Sequence, residues 1–257
     1  MSNQLKKVLD ARRVAIGAQL RFGSPAIAEL FSRAGFDWIV IDGEHAPQTP
    51  PGIQSQLQAA EAGGTTAIVR LPKNDPDLIR LFLDMGADGI LAPFVNTAEE
   101  AALGARACRY PPAGTRGFGP SRAAHYGLDR HYFQEANDRV FYLPIVESAE
   151  AVDNIDAILA VEGVDSFILG TADLSISLGL PLQYEHPTVQ GAIRRVSQAA
   201  ARAGKPAGIG VYGDVFDVGS FERQVEAGFK LLLVGGDEWM LSACCQRVLG
   251  SVAALRR

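Results

Sequence analysis

Four apolar runs in this chain end in residues able to do chemistry: DWIVIDGEH (Asp37 to His45), TAIVR (Thr66 to Arg70), FYLPIVE (Phe141 to Glu147) and SFILGTAD (Ser166 to Asp173). A strand buried on both faces is apolar along its length, so a charge at its C-terminal tip has no packing reason to be there. Glu147 and Asp173 are two carboxylates with no Cys or His cluster beside them. That donor set suits a hard cation held by oxygen and completed by water and substrate: Mg2+, with Mn2+ or Co2+ able to substitute. Asp42, Glu44 and His45 cluster in one Gly- and Pro-bearing loop. His45 has the side chain whose ordinary pKa permits proton transfer near neutrality. Arg70 offers a planar, permanent charge to a carboxylate or enolate oxygen. Each residue also has a plainer reading. Glu147 and Asp173 could be acids at helix N-termini. His45 could be a loop residue without a role, and Arg70 could be the salt-bridge partner of Asp42 or Glu44.

Such tips act together only if one fold brings them to one place. Strand candidates are Val14–Leu20, Trp38–Ile41, Ala67–Leu71, Gly89–Phe94, Val140–Val146, Ser166–Leu169, Ala207–Val211 and Leu231–Val234. Helical patterns alternate with them, at Pro25–Gly35, Pro51–Gly63, Pro76–Gly86, Thr97–Cys108, Ala149–Val161 and Pro187–Gly204. Several close on Gly, the expected C-cap, and several open on Pro, the expected first-turn residue. Eight strands each followed by a helix favour a (β/α)8 TIM barrel over a doubly wound sheet. In that barrel the strand tips form one mouth, and catalytic groups come from several of them. No linker divides residues 1–257, which are expected to form one barrel domain. The stretch from Tyr110 to Asp138, rich in Gly, Pro and Arg, breaks the periodicity, and long irregular loops are usually functional.

Composition excludes some classes. A net charge of -5 argues against a nucleic-acid or anionic-membrane partner. No apolar stretch approaches a membrane span, and the N-terminus lacks the apolar core of a signal peptide, so a soluble cytoplasmic protein is expected. Cys108, Cys244 and Cys245 form neither a disulfide framework nor a zinc spacing, and the adjacent Cys244 and Cys245 are read as reduced packing residues.

The segments IDGEHAP, IVRLPKNDPDLIRLFLDMGADGILAPFVNTAEEA, RYPPAGTRGFG, IVESAEAVDNIDAI and VEGVDSFILGTADLS resemble, in order and over nearly the whole chain, the HpcH/HpaI family of class II pyruvate aldolases. The resemblance implies a (β/α)8 barrel whose C-terminal helix is exchanged between protomers of a homo-hexamer, a trimer of dimers. It also implies reversible cleavage of a 4-hydroxy-2-oxo acid to pyruvate, or hydroxypyruvate, and an aldehyde. The family's metal pair falls on Glu147 and Asp173, its catalytic His on His45 and the acid supporting that His on Asp84. Its pyruvate-binding Arg falls on Arg70, its loop acid on Asp42, and its carboxylate-holding turn on Ala172–Asp173 with Thr171 beside them. The Tyr110–Asp138 loop, with a neighbouring subunit, is expected to contact the aldehyde tail.

Four positions depart from the family pattern: Ile145 replaces a common Gln, Thr171 the usual Pro, Gln19 a common Trp, and Arg21 a small or apolar residue. Arg21 either pairs with a loop acid or binds an aldehyde oxygen. Rival readings are a Schiff-base aldolase on Lys73 (Lys205 and Lys230 precede strands), a citrate-lyase-like acyl-CoA lyase, and a non-catalytic 2-oxo-acid-binding barrel. Glycines in GIGVYG and VGGDE fit either a phosphate site or tight barrel turns.

Overall fold

Every expected strand forms within two residues of its anticipated bounds. In the computed structural model, which describes residues 4–11, 13–211 and 213–256, the chain runs α1 (Gln4–Asp10), β1 (Ala15–Leu20), α2 (Pro25–Ala34), β2 (Trp38–Asp42), α3 (Pro50–Gly63), β3 (Thr66–Arg70), α4 (Pro76–Asp84), β4 (Gly89–Ala92) and α5 (Ala98–Ala107). It continues with α6 (Tyr132–Arg139), β5 (Phe141–Val146), α7 (Ala149–Asp153), α8 (Ile155–Ala160), β6 (Phe167–Leu169), α9 (Thr171–Ser177), α10 (Pro187–Ala203), β7 (Ala207–Gly210), α11 (Val218–Glu226), β8 (Phe229–Gly236) and α12 (Asp237–Ser251). Local chemistry sets the helix starts. Asp75 accepts from the amides of Asp77 and Leu78 ahead of Pro76, and Thr97 and Glu100 form a reciprocal capping box. The helix expected across 149–161 is broken at Asn154, whose backbone leaves the helical region.

All eight strands are parallel and close in sequence order, with β8 pairing back onto β1: the fold is a (β/α)8 TIM barrel. The strands are mostly apolar, and their alternate residues go to different places. Trp38, Val40, Ile68, Leu91, Leu143, Ile145, Ile168, Leu231 and Leu233 fill the interior, whereas Ile39, Ile41, Val69, Ile90 and Leu169 face the helices. Each such fully buried side chain contributes on the order of 1.5–3 kcal/mol. A Cβ on Gly17 would come within 2.3 Å of the Trp38 ring, so β1 carries Gly where β2 sends an indole inward. Helix α1, which the sequence pattern did not reveal, plugs the N-terminal end of the barrel with Leu5 and Val8, and the Leu5 amide donates to Thr66 Oγ1 at 3.0 Å.

One device repeats at the entry to alternate strands. The tripeptides Gly35-Phe36-Asp37, Gly86-Ala87-Asp88 and Gly163-Val164-Asp165 precede β2, β4 and β6. In each, the Asp carboxylate accepts the amide of the preceding strand (Ile16, Ala67 and Tyr142, at 2.9, 2.8 and 2.9 Å). In each, the Asp amide also donates to that same strand's carbonyl. The Gly leaves the helix in the left-handed region (φ 92° at Gly86), where a side chain would be strained.

The Tyr110–Asp138 stretch corrects two expectations. It carries structure of its own, including α6 and a small core of Tyr110, Ala124, Tyr132 and Ala136. It also joins a helix to a strand, so it lies at the end of the barrel opposite the strand tips. There it meets Asp84, Met85 and Glu61 at the C-terminal ends of α4 and α3, and within the chain it does not reach the mouth. Cys108 is buried, whereas Cys244 and Cys245, expected to pack, are exposed on α12. Among the described residues no helix is long and apolar enough to cross a membrane.

Candidate active site

At the C-terminal end of the barrel, β2, β3, β5 and the turn after β6 deliver Asp42, Arg70, Glu147 and Asp173. Asp42 is fully buried, and both its oxygens are occupied. Oδ1 accepts the amides of Glu44 and His45 at 2.9 and 3.0 Å; Oδ2 accepts Gln19 Nε2 at 2.5 Å and Arg21 Nε at 3.0 Å. Burial pushes this carboxyl up, but the His45 amide, Arg70, the Glu44 amide and Arg21 outweigh that and hold it below its ordinary value. Asp42 therefore anchors the loop that presents Glu44 and His45.

Arg70 lies among three carboxylates, with Nη2 2.5 Å from Glu44 and 3.9 Å from Glu147, and Nη1 3.9 Å from Asp42. Its Nε is buried and has no hydrogen-bond partner among the described residues. The pairing with Asp42 and Glu44 that its sequence position suggested is present. His45 is about half exposed, and its Nε2 lies 3.5 Å from Glu44 Oε2. Burial raises the Glu44 carboxyl against the pull of Arg70 and His45.

Glu147 is 2% exposed, and one oxygen accepts the Phe94 amide at 2.8 Å. Burial pushes its carboxyl up to about 7, with the Phe94 amide and Arg70 opposing and Asp173 and Glu44 adding to the rise. A Cβ on Gly170 would lie 2.9 Å from Glu147 Cβ and 3.0 Å from Oε2, so the glycine is what lets β6 approach this side chain. Asp173 sits in the first turn of α9 and makes no hydrogen bond or ion pair among the described residues. No side chain caps that helix, which leaves the amides of Thr171, Ala172 and Asp173 facing the mouth end. A buried, under-neutralised carboxylate beside a second, unpaired one is an anionic, all-oxygen donor set, and it fits a hard divalent cation. Among the described residues no three His, Cys, Asp or Glu side chains gather as a fuller cage. Water and substrate would complete the coordination.

Three further candidates have partners of their own. Asp84 ends α4 at the opposite face of the barrel, where it pairs with Arg116 at 2.6 Å, so within the chain it is not brought to His45. Arg21 is engaged on two sides. It meets Asp42 at 3.0 Å and Glu238 at 2.6 Å, and it lies over the Trp239 ring at 5.0 Å, which is the loop-acid pairing rather than a free guanidinium. Lys73 is exposed and bound to Asp75 at 2.8 Å, which raises its pKa, the opposite of what a Schiff-base lysine requires. Sequence reasoning missed Phe94 and Glu238. Phe94 has φ 49°, rare for a residue with a side chain, and that strained turn aims its amide at Glu147.

A family model described as HpcH/HpaI aldolase/citrate lyase matches residues 20–236. The chain is 45% identical over 208 residues to a 4-hydroxy-2-oxovalerate aldolase of Rhodococcus jostii (strain RHA1), covering 80% of this chain and 81% of that protein. It is 39% identical over 249 residues to a 5-keto-4-deoxy-D-glucarate aldolase of Escherichia coli O9:H4 (strain HS), covering 96% and 95%. The crystal structure of an HpcH/HpaI aldolase/citrate lyase family protein from Burkholderia cenocepacia J2315 superposes with a TM-score of 0.92 at 36% identity, over 98% of this chain and 100% of that one.

Proposed function

The chain belongs to the HpcH/HpaI aldolase/citrate lyase family, and from that premise we propose that it is a metal-dependent carbon–carbon lyase that reversibly cleaves a 4-hydroxy-2-oxo acid to pyruvate, or a close 2-oxo acid, and an aldehyde. The observation that supports this most is Glu147: a carboxyl raised to about 7 by burial, beside unpaired Asp173, at a strand tip. Glu147 and Asp173 would hold a divalent cation, Mg2+, Mn2+ or Co2+. When bound, it supplies Lewis-acid polarisation of the 2-oxo group.

The chain's own groups do the rest. The first-turn amides of α9, Thr171 to Asp173, bind the carboxylate of the 2-oxo acid. Arg70 turns its unpartnered Nε–H to the keto oxygen, where negative charge grows as the carbon–carbon bond breaks. A donor that gains strength in the transition state lowers the barrier. His45 takes the 4-hydroxyl proton during cleavage and returns a proton to C3 of the enolate. Glu44, 3.5 Å from His45 Nε2, orients the ring, and Asp42 holds the loop carrying both. At the assembly level, α12 has Asp237 as its only buried described residue and carries exposed Leu241, Val248 and Leu249. Exchange of this helix within a hexamer would cover them.

EDTA should abolish condensation of pyruvate with aldehydes, and Mg2+, Mn2+ or Co2+ should restore it. Borohydride with pyruvate should leave no adduct in the intact mass. Full activity in EDTA, or a trapped lysine, would sink this reading.

A further inference from the structure

Gln19 lies on β1 with its side chain inside the barrel, on the same side as Gly17, whose missing Cβ admits the Trp38 ring. It is 1% exposed. Its Nε2 donates to Asp42 Oδ2 at 2.5 Å, and the same oxygen accepts Arg21 Nε at 3.0 Å. A carboxylate oxygen already accepting from a guanidinium has no proton to give, so the amide's orientation is fixed: nitrogen toward Asp42, carbonyl away from it. That carbonyl oxygen, Oε1, is buried and has no donor among the described residues. An acceptor left so costs on the order of 1–3 kcal/mol unless a donor arrives.

The chemistry of the reactants narrows that donor. Pyruvate offers only acceptor oxygens to its surroundings, and so does the carbonyl of an aldehyde. Neither can satisfy Oε1. A cationic donor would meet Arg21 and Arg70, both close to Asp42. Water can donate to it, and so can a neutral hydroxyl of the substrate; the 4-hydroxyl is matched to His45, which leaves a hydroxyl on the part of the substrate beyond the reacting carbons.

We infer that Gln19 is a specificity-determining residue whose Oε1 accepts a hydrogen bond from a hydroxyl on the tail of the aldehyde, so that the enzyme favours hydroxylated aldehydes over alkyl ones. This rests on the lyase reading above and names the substrate class for that site. Asp42 and Arg21 position the amide; the amide reads the tail. Holding Asp42 does not by itself call for a carbonyl oxygen, since Arg21 and two backbone amides already bind that carboxylate.

The test compares kcat/KM for pyruvate condensation with glycolaldehyde and with acetaldehyde, which differ by one hydroxyl, in the wild type, Gln19→Met and Gln19→Leu. Wild type should prefer glycolaldehyde, and that preference should fall by at least about 10-fold in either variant. The ratio is read within each folded enzyme, so a partial loss of activity common to both aldehydes does not enter it. Equal losses with both aldehydes, or no preference in the wild type, overturn the inference and leave Gln19 as a support for Asp42. If wild type condenses neither aldehyde, the lyase reading has failed separately. Calorimetric Kd values of metal-loaded protein for 4,5-dihydroxy-2-oxopentanoate and 4-hydroxy-2-oxopentanoate then decide. Tighter binding of the dihydroxy acid, lost in Gln19→Met, upholds the hydroxyl contact, and equal binding refutes it.

Discussion

Asp42 accepts hydrogen bonds from Gln19, Arg21 and two backbone amides of its own loop, and with both oxygens so engaged it has little left for a proton or a substrate. Removing it should leave Gln19 buried without its acceptor, take one of two carboxylates from Arg21, and free the loop that holds His45. Asp42→Ala should therefore lower folding stability by on the order of 2–4 kcal/mol and kcat with it, measured by urea unfolding and turnover. A stable but inactive variant would instead mean that Asp42 takes part in chemistry directly. His45 stands differently, half exposed with its Nε2 near Glu44. His45→Ala should reduce kcat by on the order of 100-fold while leaving metal affinity intact, whereas Glu147→Gln should lose the metal, as read by metal titration. The charged strand tips were visible in the sequence because charge is out of place in a buried strand. Gln19 and Phe94 were not. The amide's importance comes from a partner 23 positions away. Phe94 acts through a backbone N–H, which every residue but proline has.

At the level of elements, strand positions were legible because each run is short, apolar and bounded by glycine or proline. Which alternate residues point inward was not, since both faces of a barrel strand are buried and the alternation has no polar member to mark it. Helix α1 hid for a related reason: its apolar residues are few and plug the barrel rather than line a helical face. The irregular composition of 110–138 points to a functional loop, yet within the chain it lies away from the mouth. Its position between a helix and the next strand already fixed its side. The Gly-x-Asp repeat was equally readable, and it carries a prediction. Asp37 accepts the Ile16 amide at the entry to β2, at 2.9 Å. Asp37→Ala should cost on the order of 1–3 kcal/mol in urea unfolding, because it orphans a partly buried amide. Asp37→Asn, which keeps the acceptor, should cost far less. Equal costs for the two would show that the charge, and not the hydrogen bond, matters.

For the molecule as a whole, the barrel separates its tasks by end: carboxylates, Arg70 and His45 at the strand tips, and structural devices at the other face. A cavity of about 390 Å3 at that far face is lined by Asp88 with Glu61, Arg122, His125 and Arg139 among others. The Asp88 carboxyl is raised, to about 6, chiefly by burial; the Ala67 amide opposes the rise and Glu61 adds to it. The sign follows from linkage. A carboxyl whose folded pKa lies above its unfolded value of 3.8 contributes its full stability below that value, and the contribution is lost as pH rises through about 6. Asp88→Asn keeps an acceptor for the Ala67 amide and removes the charge, so its effect should depend on pH. At pH 8 the variant should be more stable than the wild type by on the order of 1–3 kcal/mol, a rise of several degrees in Tm. Near pH 4 the two should converge. Because Asp88 lies at the end away from His45 and Glu147, kcat/KM should stay at the wild-type value throughout. Thermal unfolding of both proteins from pH 4 to 8, with turnover measured alongside, checks each part. A pH-independent difference in Tm would assign the effect to packing, and a fall in turnover would mean that the two ends of the barrel are coupled.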